Sequence, residues 1–282
     1  GVARQRMGAA VAMAANAADT LARIVLGTGT PGAAFAAFVA RELLKPTFSW
    51  WDVWQSEHAA AFMVAGIAEQ DLLDVVRVLV ADAIASGRSF GDFAAALRPQ
   101  LVKKGWWGDV AITDPLTGEQ RITRFDDARL RLILDTNLRV SYAAGEWQAA
   151  QRAKKRRPYL LYRTMRDERV RISHAAWDGV ALPVDDPWWH THYPPNGWRC
   201  RCRAISVSER DLERYRSDGF KIVTEAPPVE MVRYLDRRTG QEAEVPAGID
   251  PGWAYNVGEA RMAELGKLAR RADLPKKKDG EP

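Results

Sequence analysis

Cysteine is scarce in this chain. Two cysteines in 282 residues exclude a disulfide framework as the source of stability. Histidine is scarce as well, with four in all. Long apolar runs are missing. The longest stretch free of Asp, Glu, Lys and Arg, Ile24 to Ala40, is broken by Gly27, Gly29, Pro31 and Gly32. It falls short of the ~20 apolar residues that span a bilayer. Arg4 to Ala18 imitates a signal peptide only loosely, because its apolar region is weak and holds Asn16; it reads as an amphipathic helix. The sequence contains no Gly-rich phosphate loop, no Gly-x-Ser-x-Gly and no His-Glu-x-x-His, which leaves nucleotide, serine-hydrolase and zincin chemistry without a motif.

What is present is a chain with 47% hydrophobic and 27% charged residues, enough to bury a core. At ~150 residues per domain the length suggests about two domains. The net charge of +5 suits a protein beside nucleic acid without proving contact. Eleven tryptophans are many, and each buried indole needs a partner for its N–H.

Along the chain, Val2 to Leu26 is Ala-rich and predicts a helix, with a second over about Ala33 to Leu44 ending before Pro46. Residues 1–46 form an N-terminal helical segment. Ser49 can cap a helix carrying Trp50, Trp51, Trp54, His58 and Phe62, with Trp50, Trp54, Glu57, His58 and Ala61 on one face. Asp71 to Ser86 is amphipathic and ends at Gly87. Ser89 and Asp92 resemble a capping box opening a helix to about Lys103. Gly105 to Gly118 reads as loop around Asp114-Pro115-Leu116-Thr117-Gly118. A long helix follows, roughly Asp126 to Ala153, whose basic tip (Arg152, Lys154, Lys155, Arg156, Arg157) either complements the helix dipole or contacts phosphate. Pro158 closes this helical domain, 47–157. Strands are predicted at Tyr159–Met165 and Arg203–Val207, a helix capped by Ser208, and a hairpin over Arg233–Val245 turning at Thr239-Gly240. Residues 158–258 thus make a small mixed α/β module. Residues 259–282 supply a last helix and a basic tail, Lys276, Lys277 and Lys278. The expected fold class is α+β: a helical N-terminal region, then a small mixed module.

The chemistry-bearing residues crowd into Tyr159–Ala204, which holds His174, His190, His192, both cysteines and Trp177, Trp188, Trp189 and Trp198. Its polar candidates are Arg163, Asp167, Arg171, His174, Asp178, Asp185, Asp186, His190, His192, Cys200 and Cys202. Cys-x-Cys on an extended strand puts both sulfurs on one face, and thiolate with imidazole suits zinc. His174, His192, Cys200 and Cys202 are therefore metal candidates, but the spacing is not the usual Cys-x2-4-Cys and no metal is favoured. A cysteine nucleophile activated by Arg199, Arg201 or Arg203 is a further option. The plainer reading, and the one preferred, is a compact folding device in which these side chains satisfy buried backbone groups among many prolines, with Trp177 and Trp198 packed near. Asp185-Asp186 before Pro187 reads as a turn cap, and His58 as a histidine making one hydrogen bond.

The order of residues adds a resemblance. Asp-Glu-Arg-Val-Arg-Ile-Ser-His-Ala-Ala-Trp-Asp-Gly (Asp167 to Gly179), Leu-Pro-Val-Asp-Asp-Pro-Trp-Trp (Leu182 to Trp189) and His-Tyr-Pro-Pro-Asn-Gly-Trp-Arg-Cys-Arg-Cys (His192 to Cys202) resemble the signature of the phage Mu F-like family of minor head proteins. Phe48–Trp54 with Glu57-His58-Ala59, Lys104–Gly108, Asp135–Arg139 with Tyr142–Gly145, and Gly248–Trp253 with Tyr255–Gly258 are similar too. The likeness covers about Thr47 to Gly258; Val170-Arg171-Ile172 departs from the Thr-Arg-Pro common in the family. The motif core is Asp167, His174, Trp177, Gly179, Pro187, Pro194, Pro195, Cys200, Arg201 and Cys202. The resemblance implies a structural protein of the virion, at the capsid interior or portal vertex and in host cytoplasm during assembly. It would be a low-copy component that partners the portal or major capsid protein and supports head assembly and DNA packaging or delivery. The basic clusters Arg152–Arg157 and Lys276–Lys278 would touch packaged DNA through phosphates, and no membrane and no cofactor are expected. Trp50, Trp51 and Trp54 are the expected docking anchors. The alternative is an enzyme or toxin-associated module using the pocket from His174 to Cys202.

Overall fold

The computed structural model describes residues 30–41, 43–67 and 69–272. The expected helix at Val2–Leu26 and the Lys276–Lys278 tail lie outside these residues. The fold is α+β: eight helices and four small sheets among the described residues.

The first part is organised by helices. α1 (Thr30–Val39) begins with Pro31 in its first turn, where a missing N–H costs nothing. Leu43 and Leu44 leave the helical path predicted for them and form β1, parallel to β2 (Ala61–Phe62). α2 (Gln70–Ser86) buries Leu72, Leu73, Val76, Val80, Ala83 and Ile84 and stops at Gly87, whose φ of +65° is left-handed. α3 (Phe90–Lys103) opens on the expected capping box, with Ser89 and Asp92 each bonded to the other's backbone. Gly105–Gly118 is more than loop. β3 (Gly108–Thr113) and β4 (Gln120–Phe125) form an antiparallel hairpin, closed where Asp114 N–H donates to Glu119 O and Gly118 N–H to Asp114 O, both 2.8 Å. The turn residues mark its tip; Val110 and Ile112 alternate inward on β3, but β4 is mostly exposed and offers no second apolar pattern to pair with it.

The tryptophan run is also not one helix. Ser49 caps as expected, but only a 3-10 turn, Trp50–Asp52, follows. Val53 is extended, Gln55 has φ of +42°, and a second 3-10 turn covers Gln55–Ala59. The breaks let the indoles meet each other: Trp51 stacks on Trp54 at 4.5 Å and Trp50 on Trp54 at 6.3 Å between centroids.

α4 (Asp127–Ala153), capped by Asp126, is the axis of the molecule. Its N-terminal half (Leu130, Ile133, Leu134) joins the core made with α1, α2 and α3. Its C-terminal half (Val140, Ala143, Trp147, Ala150) joins a second core. Gly145 lets α1 approach, since a Cβ there would sit 3.2 Å from Ala34 N, and Gly258 seats Trp147 in the same way.

The second core packs around a three-stranded antiparallel sheet, order β6-β5-β7, from β5 (Tyr159–Arg163), β6 (Ala181–Pro183) and β7 (Arg203–Val207). Between them lie α5 (Ile172–Ala176) and α6 (Trp189–His192). α7 (Glu209–Ser217) is capped by Ser208. β8 (Met231–Leu235) and β9 (Glu242–Pro246) form the expected hairpin, and α8 (Val257–Ala272) returns against α4. Gly179, with φ of +95°, crosses so close to Lys221 O that a Cβ would clash at 2.2 Å.

Candidate functional site

The chain between α6 and β7 turns at Trp198-Arg199, where Arg199 takes φ of +59°, a conformation that ordinary side chains disfavour. That turn delivers Cys200 and, two residues on, Cys202 to the same place. α5 delivers His174. The imidazole Nδ1 stands 3.7 Å from Cys200 Sγ and 3.6 Å from Cys202 Sγ, and all three ligand atoms lie within 4.8 Å of one another. The other ring nitrogen, Nε2, lies 3.0 Å from Gly248 O. A carbonyl only accepts, so Nε2 carries the hydrogen and Nδ1 is the atom turned to sulfur.

The surroundings hold this arrangement. The His174 ring stacks on Trp177 at 5.1 Å. Gly248 has no room for a Cβ, which would meet Ser173 Cβ at 2.6 Å. Arg171, the residue before α5, grips Asp250 with both terminal nitrogens at 2.9 Å and donates to Trp198 O at 3.1 Å. Trp198 N–H donates to the same carboxylate at 2.8 Å, and a Cβ on Gly197 would strike both clamp partners at 2.4 Å. Arg201 is bidentate to Asp167 at 2.7 and 2.5 Å, and Arg139 on α4 donates to Cys200 O at 3.1 Å. Deeper in, Tyr162 O–H donates to Asn196 Oδ1 at 2.9 Å. Pro194, Pro195 and Asn196 are buried. The hydrogen bond between the sulfurs, aided by His174, draws Cys200 well below the ordinary thiol range; the same bond and burial push Cys202 up.

The remaining candidates disperse. His192 is buried, stacked on Trp188 at 4.3 Å, with its Nδ1 2.8 Å from Thr191 Oγ1; burial lowers it to about 4. His190 is exposed and pairs with Glu259 at 2.9 Å. Asp178 accepts Thr164 N–H at 2.8 Å and pairs with Arg166, with Arg163 Nε at 3.7 Å. Asp186 caps the Trp188 N–H at 2.9 Å, a turn cap as expected, while exposed Asp185 pairs with Lys154. Pro187 is exposed beside it. Arg157 pairs with Asp211 at 3.0 Å; Arg152, Lys155 and Arg156 are exposed. Trp50, Trp51 and Trp54 are half-buried, Trp50 edge-on to Trp198 at 6.4 Å and Trp51 against Tyr234 at 5.9 Å. Sequence reasoning did not assign Arg139, Gly248 and Asp250 to the site, because they are remote in sequence, although all three lie in stretches that carry the resemblance. It also missed Arg238, which ties the β8–β9 turn to Asp52 and Asp114.

Fold and site together define an α+β protein with a cysteine–histidine cluster inside an aromatic shell, braced by an arginine–aspartate clamp. Residues 74–205 match the family described as Phage Mu protein F like protein, and the chain belongs to that family. It is 32% identical over 246 residues to the Mu-like prophage FluMu F protein of Haemophilus influenzae, covering 83% of this chain and 58% of that one. It is 32% identical over 238 residues to the candidate capsid assembly protein F of Escherichia phage Mu, covering 80% and 54%. The chain thus spans a little over half the length of these curated relatives. No solved structure matches it. No helix among the described residues is long and apolar enough to cross a membrane.

Proposed function

We propose that this chain is a structural head-assembly protein of a Mu-like phage. In this reading it docks on the portal or major capsid protein at the capsid interior or portal vertex, having assembled in host cytoplasm, and it is not an enzyme. The observation that carries the reading is the likeness to the candidate capsid assembly protein F of phage Mu, which runs along four-fifths of the chain. Burial of the thiol that would serve as nucleophile supports it, since Cys200 is 6% exposed and a reactive cysteine needs access.

The docking surface of this proposal joins the tryptophan cluster to β8. All five residues of β8 are exposed, among them Met231, Val232, Tyr234 and Leu235, and Tyr234 adjoins Trp51. Apolar and aromatic side chains gathered around one strand are what a protein partner buries. Trp50, Trp51 and Trp54, all half-buried and packed on one another, are the anchors of this surface. The free end of α4 (Arg152, Lys155, Arg156), with Lys276, Lys277 and Lys278, is assigned to phosphate contact with packaged DNA, sequence-independent and salt-sensitive. The test is incorporation into particles. M231K/Y234K should leave the protein folded and reduce its copy number in purified heads at least tenfold. Normal incorporation of the folded double variant would overturn the docking surface, and absence of the unaltered protein from heads would overturn the function.

A further inference from the structure

We propose that His174, Cys200 and Cys202 are the three protein ligands of a zinc ion. This goes beyond the head-assembly reading and does not depend on it.

The first argument is hydrogen bonding. Nε2 is committed to Gly248 O at 3.0 Å, so one nitrogen lone pair, on Nδ1, faces two sulfurs at 3.6 and 3.7 Å. Without a cation, Nδ1 can accept from only one S–H, and the second thiol is left to the weak hydrogen bond between the sulfurs. A cation uses all three donors at once. The second argument is dimension. Zn–S of about 2.3 Å and Zn–N of about 2.0–2.1 Å at a tetrahedral angle place nitrogen and sulfur about 3.6 Å apart. The two observed nitrogen–sulfur separations have that length, and the sulfurs lie within 4.8 Å of each other, so the three donors surround a space of the right size.

The third argument is the support around the donors. A metal-binding imidazole characteristically gives its other N–H to a carbonyl or carboxylate, which fixes tautomer and ring angle; Gly248 O does this here. The ring is clamped on Trp177 at 5.1 Å, and Cys200 is anchored through its carbonyl by Arg139 at 3.1 Å. Charge also agrees. Two thiolates and a neutral imidazole cancel a divalent cation, and the nearby Arg171 and Arg201 are each spent on a carboxylate, Asp250 and Asp167. A site of no net charge is the kind that tolerates burial. Thiolate and imidazole select zinc over magnesium or calcium. The cluster lines a cleft with Met165, Arg169 and Trp198, so the fourth position is open to solvent.

The Cys-x-Cys spacing argued against a metal on the pattern of zinc fingers. The observed convergence removes that objection, because both sulfurs stand within 3.7 Å of His174 Nδ1.

The experiment uses the full chain, free of any histidine tag, purified without chelator. Metal analysis should give close to one zinc per chain, falling at least fivefold in C202S and in H174A. Zinc-free protein titrated with Co2+ should develop thiolate-to-cobalt absorption in the near ultraviolet and the strong visible bands of a tetrahedral site, saturating at one equivalent. Should either variant fail to fold, the zinc content and cobalt spectrum of the unaltered protein still decide the matter. Folded protein with no zinc and no cobalt absorption overturns the proposal. So does an intact mass showing Cys200 joined to Cys202, or equal zinc in the folded variants.

Discussion

The two cores of this protein are built by different means. The first, around α1, α2, α3 and the N-terminal half of α4, is a periodic helical core whose buried residues recur at helical spacing, as along α2. The second wraps a three-stranded sheet, but its densest part is a loop-rich run. There aromatic rings meet edge-on (Tyr162 with Trp177 and Trp188 at 5.8 and 6.0 Å, Trp147 with Tyr193 at 4.9 Å), and residues some 50 to 80 positions apart are tied by Arg171–Asp250 and Trp198–Asp250. Local pattern organises one part and remote polar contacts organise the other, while α4 runs through both.

The strongest way to break this comparison is to empty each core in turn. Trp189 is fully buried and donates to Pro183 O at 3.0 Å. Trp189→Ala should cost about 3–5 kcal/mol, and Leu73→Ala in the first core about 2–5 kcal/mol. Denaturant unfolding followed by fluorescence and by far-ultraviolet circular dichroism should show one transition for each variant, because a helix shared by both cores makes them cooperate. Two separated transitions in Trp189→Ala would mean that α4 holds its first half without the second, and that the cores are independent.

How much of this was legible beforehand follows the same division. The helices of the first part announce themselves by period and caps: Ser89 with Asp92, Gly87, Asp126. The exposed β3–β4 hairpin does not, because its strands bury little and the one clear signal, the turn after Asp114, is shared by any loop. The tryptophan run misleads for another reason. Trp50, Trp54 and His58 have helical spacing, yet packing against Trp198, Tyr234 and Gly252 is worth more than helix propensity, and the chain breaks at Val53 and Gln55. Within the site, the density of His174, Cys200 and Cys202 is plain in the sequence. Their convergence on one nitrogen is not, since it depends on Gly248, Asp250 and Arg139.

A pH titration sharpens the comparison, because each part holds a histidine away from water, His58 half-buried and His192 buried. His58, in the first region, is held down to about 4 by burial, then by Arg41; His192, in the second, is lowered to about 4 by burial. The unfolded chain takes up a proton at each near pH 6.5 while the folded chain does not until about pH 4. The stability each contributes is fully present above about pH 6.5 and is lost as pH falls toward 4. The slope is about 1.4 kcal/mol per pH unit for each histidine, on the order of 3 kcal/mol across the window. His58→Gln and His192→Gln should each halve the slope from these two groups. A slope unchanged in both variants would place the acid sensitivity elsewhere.

The smallest expected effect probes the site where this chain departs from its family. Ile172 is 91% exposed and is the first residue of α5, preceded by Arg171 at φ −64°, ψ 144°. The first helical residue has no intrahelical use for its N–H, so proline is tolerated there. The residue before a proline must be extended, and Arg171 already is. Ile172→Pro therefore removes freedom from the unfolded chain without disturbing the clamp, and should raise stability by about 0.4–1 kcal/mol. The sharper readout is where the gain falls. Hydrogen exchange should slow at Ala175 and Trp177, whose amides bond to Arg171 O and His174 O at 2.9 and 3.2 Å, and stay unchanged along α2. A loss of stability in this variant would mean that the Arg171 backbone cannot hold its position once the proline ring is in place. The clamp to Asp250 would then be sensitive to the residue that follows it, and the isoleucine would be fixed by the site instead of tolerated there.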